Sequence, residues 1–359
     1  MEAMAVTLKD IAERTGVSPS VVSTVLSGRD NGTFVSEQTR SKVIQVAEML
    51  HYTPVRSGRP RGSRRLRRQR EEHFIGVWDP VYSPNTAHYI QNLQAALHRH
   101  AEQSGAGAED DYGLRLLTTD DLPRLDAIGI MGLVLVTPEL LPREAAAATI
   151  PCVMLGEADG APRDLVQVHA DNAQEGCLLG EYLWGLGHRR AALLASSARP
   201  RVAFRRFQGL QSVWTERGGD PALVLPVRYD KDPALSEREQ VRQAVLSLYG
   251  PNAPQQNRPT ALLCADEHVA AVAAQTLAEI GLRVPADVSL AAFGDTPRLG
   301  EAMTPPLTTV REPVAQLAAA AITQLYRLHE AKVTDDPEQH DLAFPGELVM
   351  RASCAPPAA

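Results

Sequence analysis

Apolar residues recur along this sequence with two different periods, and the change between them divides it. Leu8, Ile11, Ala12 and Val17 stand at helical spacing behind Thr7, a candidate N-cap, and Gly16 permits the turn that ends this first helix. Ser18-Pro19 starts a second: Ser caps, and Pro at the first helical position loses only an N–H that had no partner. Val22, Val25 and Leu26 give it an inner stripe before Gly28 stops it. A third helix is predicted from Ser36 to about His51, with Val43, Ile44, Val46, Ala47 and Leu50 as its apolar face. Two short helices joined by a glycine turn form a helix-turn-helix, whose second helix can lie in the DNA major groove.

From Phe74 the texture becomes short apolar runs alternating with helical stretches. Strands are predicted at Phe74–Trp78, Leu114–Leu117, Gly132–Val136, Pro151–Leu155, Arg190–Leu194, Thr260–Cys264 and Val288–Ala292. Helices are predicted near Tyr89–Ser104 and at Asn172–Leu186, Arg206–Arg217 and Glu267–Ile280. Such alternation implies parallel sheets with right-handed crossovers, and its length suggests two lobes. The predicted fold is therefore a small all-α head followed by a two-lobed α/β body. The head spans 1–54, a linker 55–72 and the body 73–359. One lobe is assigned about 73–168 and 298–330, the other about 169–297 and 331–354.

Charge sharpens this division. The chain carries a net −7, but residues 1–70 hold thirteen Lys/Arg against six Asp/Glu, leaving the body at −14. Eight of those arginines fall in the fifteen residues Arg56–Arg70, with no acid among them. A basic head on an acidic body points to nucleic acid contacted by the head alone, although charge runs also serve as solvated tethers. No apolar stretch approaches the ~18 residues of a membrane span, and the N-terminus lacks a secretory apolar core. Cys152, Cys177, Cys264 and Cys354 are widely spaced and frame neither a zinc site nor a disulfide scaffold. A cytoplasmic, reduced protein is expected. Cofactor and hydrolase motifs are lacking, so no cofactor is predicted. His98 and His100 fall on different faces of a helix, which argues for a solvated face over a metal pair.

Certain residues carry a resemblance. Thr7-Leu-Lys-Asp-Ile-Ala, Gly16-Val-Ser-Pro-Ser-Val-Val-Ser23, Leu26-Ser-Gly28, Val35-Ser-Glu-Gln-Thr-Arg40 and Leu50-His-Tyr52-Thr-Pro54 resemble, in order, the head of the lactose-repressor/galactose-repressor family. The likeness implies DNA contacts at Thr7, Ser18, Pro19, Ser20, Val21, Ser23, Thr24, Thr39 and Tyr52. Departures accompany it. The family's recognition helix reads Thr-Val-Ser-Arg where this chain has Val21-Val22-Ser23-Thr24, so a long guanine-binding donor is replaced by a short hydroxyl and a methyl. The loop Arg29–Phe34 is about three residues longer than usual. Where the family folds a hinge helix, this chain has Gly58, Arg59, Pro60 and Arg61, which disfavour a helix. Gly-Arg-Pro flanked by Arg61 resembles an AT-hook, placing Arg56, Arg59 and Arg61 in an A·T-rich minor groove. A plain tether and a shifted hinge helix using Leu66 are the alternatives.

The body continues the resemblance in Gly187-His-Arg-Arg, Arg206-Phe-Gln-Gly209, Ala265-Asp-Glu-His268, Phe293-Gly-Asp-Thr-Pro297 and Leu348-Val-Met-Arg351. It implies a periplasmic-binding-protein-like fold with a small effector between the lobes. Ligands in open α/β sheets sit at the carboxyl ends of strands, which selects Tyr82, Ser83 and Asn85. The family likeness adds Arg206, Tyr229 (as a stacking aromatic), Asp266 and Asp295. Two aspartates that sugar-binding members use on hydroxyls are absent: Gly294-Asp295 replaces Asp-Asp, and Gly156-Glu157 stands at the other place. A sugar effector is thus weakly supported. The whole reads as a homodimeric, ligand-responsive repressor on a near-palindromic operator, with an enzyme or a ligand carrier as the other classes.

Overall fold

The computed structural model describes residues 8–19, 21–22, 25, 36–49, 74–79, 84–104, 113–136, 150–157, 161–162, 165–196, 200–230, 232, 234–254, 256, 258–295, 299–330 and 340–358. It divides into two compact units, 1–64 and 65–359. In the first, helices Leu8–Thr15 and Glu37–Met49 accompany a middle helix that includes Pro19, Val21, Val22 and Val25. Gly16, at φ 74°, makes the turn between the first two, a conformation glycine adopts without strain. Ile11, Ala12, Val22, Val25, Val43 and Ala47 form the core, with Val17, Val21 and Val46 packed against it. Ile44 is 41% exposed, contrary to its assignment to the apolar face. The buried pair Val43 and Ala47 is four apart, and one further residue turns Ile44 to solvent. Leu26, Leu50, the loop Arg29–Phe34 and the whole linker lie outside the described residues, as does the side chain of Leu8.

Among the described residues, the body forms two six-stranded sheets. The first joins β1 (Phe74–Trp78), β2 (Gly113–Leu117), β3 (Gly132–Val136), β4 (Cys152–Leu155), β5 (Val166–Ala170) and β11 (Asp341–Phe344) in the order β11-β5-β4-β3-β1-β2. The second joins β6 (Ala191–Ala195), β7 (Val224–Arg228), β8 (Ala261–Cys264), β9 (Ser289–Gly294), β10 (Thr308–Arg311) and β12 (Glu347–Val349) in the order β12-β10-β9-β8-β6-β7. All pairings are parallel except β10 with β12. Helices Pro84–Gln103 and Val314–His329 cover the first sheet through Leu93, Leu97, Leu317 and Ile322. Helices Asn172–Gly185 and Pro200–Glu216 cover one face of the second, with Leu179, Leu210 and Trp214 fully buried there.

The lobe boundaries differ from those expected. β10 belongs to the second sheet and not to the first lobe, while β11 and the end of β5 belong to the first. The chain therefore changes lobes near 171, at 312–313 and at 345–346. Because β5, β10 and β11 each end at a change, the carboxyl edges of both sheets face the crossovers. Several elements start earlier than predicted. The helix expected near Tyr89 begins at Pro84 and that expected at Arg206 begins at Pro200, each using a proline in its first turn. No helix among the described residues is long and apolar enough to cross a membrane. His100 stacks on Tyr326 with centroids 3.9 Å apart, so only His98 fits the expected solvated face.

Candidate functional site

In the head, the described residues show caps. Ser18 accepts the Val21 N–H at 3.4 Å, fixing the start of the second helix, and Pro19 follows exposed at its first turn. Ser36 accepts the Thr39 N–H at 3.3 Å, and the two hydroxyls lie 2.9 Å apart. Thr39 thus helps start the third helix, and Val21 is half-buried against the core. Thr7, Ser20, Ser23, Thr24, Tyr52, Arg56, Arg59 and Arg61 lie outside the described residues.

In the body, the lobe crossovers gather charge. Gly176 and Gly209 let helices Asn172–Gly185 and Pro200–Glu216 meet backbone to backbone: an added Cβ would fall 2.1 Å from Arg206 O or 1.9 Å from Ala173 O. That approach sets Glu175 beside Arg206. Glu175 Oε2 accepts from Arg206 Nε at 3.0 Å and Nη2 at 2.9 Å, Nη2 also donates to Glu312 Oε1 at 2.9 Å, and Nη1 donates to Ala265 O at 3.3 Å. Among the described residues, every guanidinium N–H except one on Nη1 therefore has a protein acceptor. The guanidinium also lies 4.3 Å over the Phe293 ring. Glu312 sits on the crossover between β10 and helix Val314–His329, and its Oε2 accepts from the Tyr89 hydroxyl at 2.9 Å. A continuous chain of hydrogen bonds thus runs from Tyr89 in the first lobe through Glu312 to Arg206 and Glu175 in the second.

Glu175 is fully buried, and its Oε1 has no hydrogen-bond partner among the described residues. Burial lifts its carboxyl to about 7 despite the pull of Arg206, with the Glu312 charge adding to the rise. Gly346, on the third crossover, leaves room for it: a Cβ there would stand 2.9 Å from Oε1.

A second cluster centres on His169, at the end of β5. Nδ1 lies 2.9 Å from Glu157 Oε1 and 2.8 Å from Ala170 O, while Nε2 lies 2.7 Å from Asp341 Oδ1. Burial alone would lower the imidazole; the bonds to Glu157, Ala170 and Asp341 outweigh it and raise the pKa to about 9. Glu157 Oε2 accepts from Arg201 Nε at 3.0 Å, joining the first lobe to the first turn of a second-lobe helix. Burial would raise Glu157 too, yet His169 and Arg201 hold it below its ordinary range.

The remaining predicted effector residues are placed as follows. Tyr229 is 6% exposed in the second lobe's core, with its hydroxyl 2.9 Å from Glu237 Oε1, so it packs inside rather than offering a stacking face. Asp295 is drawn away by Arg311 Nη2 at 2.6 Å and Arg351 Nη2 at 2.8 Å, and its φ of 107° is held by its N–H bond to Glu267 at 2.6 Å. It acts as a clamp rather than a free ligand group. Asp266 caps helix Glu267–Glu279 through the Val269 N–H at 2.9 Å and stays partly exposed. Asn85 lies in the first turn of helix Pro84–Gln103, its side chain outside the described residues with Tyr82 and Ser83. Close by, Thr86 donates to the buried Asp79 at the end of β1.

Sequence reasoning missed Glu175, Glu312, Tyr89 and His169 as site residues and noted Glu157 only as following a lost aspartate. The one signal was Glu175 itself, an acid set against Gly176 immediately before the apolar run Cys177-Leu-Leu-Gly180. No group of His, Cys, Asp and Glu among the described residues is arranged to hold a metal.

The family model for bacterial regulatory proteins of the lacI family matches residues 7–55, and that for a periplasmic binding protein-like domain matches 181–354. The MalR transcriptional regulator of Streptomyces coelicolor is 28% identical over 98% of this chain and 97% of its own length. The lactose operon repressor of Escherichia coli is 27% identical over 98% and 91%. Among solved structures, the lac repressor dimer bound to operator and an anti-inducer superposes with a TM-score of 0.59, at 24% identity over 98% of this chain and 99% of that one.

Proposed function

Since the chain belongs to the lacI family of bacterial regulatory proteins, a DNA-binding transcriptional regulator with an effector domain, we propose that it acts in the cytoplasm as a homodimeric repressor on a near-palindromic operator. Two heads read paired half-sites, as twofold symmetry requires. The effector binds at the carboxyl edges of the two sheets, contacting Tyr82, Ser83 and Asn85 after β1 and Asp266 after β8, beside Arg206. The observation that carries this reading is the hydrogen-bonded chain from Tyr89 to Glu175. It joins the lobes at the crossovers, where a ligand that prefers one lobe arrangement can shift the balance.

Arg56, Arg59 and Arg61 hold the operator's minor groove directly. Operator selection with the purified full-length protein is the test. A twofold-symmetric consensus is expected, unlike that of relatives with Arg in the recognition helix, and a sugar panel should alter the affinity in a gel shift. Alanine at both Arg59 and Arg61 should weaken binding and flatten its salt dependence. No selected sequence, or turnover of substrate by the body, would overturn the regulator reading.

A further inference from the structure

Several arginines near the lobe crossovers are already held by the protein's own carboxylates. Arg201 is on Glu157, Arg311 on Asp295 and Glu347, and Arg351 on Asp295 and Glu301. Arg206 is the extreme case, with one guanidinium bound by two glutamates, one of them wholly enclosed. Asp171 adds a further negative charge close enough to act on Glu175. One cation against these carboxylates leaves the surroundings of Arg206 with excess negative charge. In a poorly screened interior, that excess acts on any charged group brought near.

We propose that Glu175 and Glu312 serve as internal ligands of Arg206, so that the effector of this protein carries no anionic group and is a neutral or cationic molecule. This rests on the effector site proposed above and narrows what it accepts. An acidic effector approaching the remaining Nη1 N–H would meet a guanidinium whose charge is already offset on its Nε and Nη2 side by Glu175 and Glu312, so the surrounding carboxylates repel it. A hydroxyl can accept that N–H without such repulsion, and an ammonium group is attracted to the surplus carboxylate. Glu175 and Glu312 are thereby positioning and specificity-determining residues: they hold the arginine and set the sign of charge the site tolerates.

The test uses inorganic phosphate as a probe, with the full chain at constant ionic strength and melting temperature as the readout. Four proteins are compared: wild type, R206Q, E175Q/E312Q, and E175Q/E312Q/R206Q. Phosphate bound by the basic head is common to all four. The double variant, with Arg206 uncompensated, should show saturable stabilisation with an apparent affinity about tenfold or more above wild type. Wild type should respond no more than R206Q, and the triple variant should lose the gain. E312Q alone supplies the comparison if the double variant does not fold, because Glu312 is partly exposed.

A phosphate response in wild type that R206Q abolishes would overturn the proposal. So would a double variant that gains nothing, or a gain that survives in the triple variant. Operator selection with the same preparations reads the regulator assignment separately: its failure leaves the phosphate result standing, and the reverse holds as well.

Discussion

Two charged clusters tie the lobes together, and they differ in what stands at the centre. Around Arg206 the central group is a guanidinium that stays charged at any working pH, and its chief partner Glu175 is sealed from solvent. Around His169 the central group titrates, and one partner, Asp341, is 60% exposed. The first cluster can change only by exchanging partners or by protonating a carboxylate. The second can be discharged by raising the pH. A buried ion cluster is no assurance of net stability, but breaking one side of it is costly because the stranded charge must stay where it is. The Arg206 cluster is therefore the structural tie at the crossovers, and the His169 cluster the adjustable one.

The sharpest way to break this comparison is Arg206→Met, which strands Glu175 and Glu312. It should cost about 3–5 kcal/mol, measured by urea unfolding of the full chain followed through tryptophan fluorescence. Trp184 and Trp214 meet edge-on at 5.4 Å in the second lobe and report on the helices that carry the pair. A loss no larger than that of a surface ion pair would show that the two clusters are energetically alike.

Next in size is His169→Gln, whose cost should depend on pH. The folded pKa of about 9 lies above the ordinary 6.5, so the histidine's contribution is complete below 6.5 and disappears as pH rises through 9. Wild type should exceed the variant by about 3 kcal/mol at pH 6, with the gap closing near pH 9.5. Unfolding curves at both pH values check it, and a gap constant with pH would refute the charged-imidazole reading. Glu175 works in a lower window with the same sign: its raised pKa makes stability fall as pH rises from about 4.5 to about 7.

What sequence reasoning reached and what it missed separate along physical lines. Ile75, Val134, Val153 and Leu193 belong to buried runs whose apolar continuity announces a parallel strand. β7, β11 and β12 stayed hidden as sheet edges with partly exposed sequences, Pro226 among them, and the interior strands β5 and β10 stayed hidden because Gln167 and His169 in one and Thr308 and Thr309 in the other interrupt their apolar runs. The lobe boundaries failed at β10 and β11 because strands that change lobes cannot be assigned from local sequence. The charged site was illegible for a related reason. Glu175, Arg206 and Glu312 lie 31 and 106 residues apart, and only the closeness allowed by Gly176 and Gly209 brings the first two together. The family likeness did select Arg206. It could not reveal that Arg206 arrives at the site already paired, nor that Tyr229 and Asp295 would be taken up by packing and by a clamp.

The smallest expected effect falls on the outer edge of the second cluster. Asp341→Asn keeps the shape of the side chain and an acceptor for His169 Nε2 but removes the charge. Since Asp341 is mostly exposed, water already screens that charge, and the loss should stay under about 1 kcal/mol near pH 7. Glu157 contributes both a hydrogen bond and a charge from the buried side and should keep most of the histidine's elevation. NMR titration of the His169 ring should therefore give a midpoint below the wild-type value of about 9 yet still above 6.5. A midpoint at 6.5 would mean that Asp341 carries the cluster. The buried tie from His169 through Glu157 to Arg201 would then lose its claim to link the lobes.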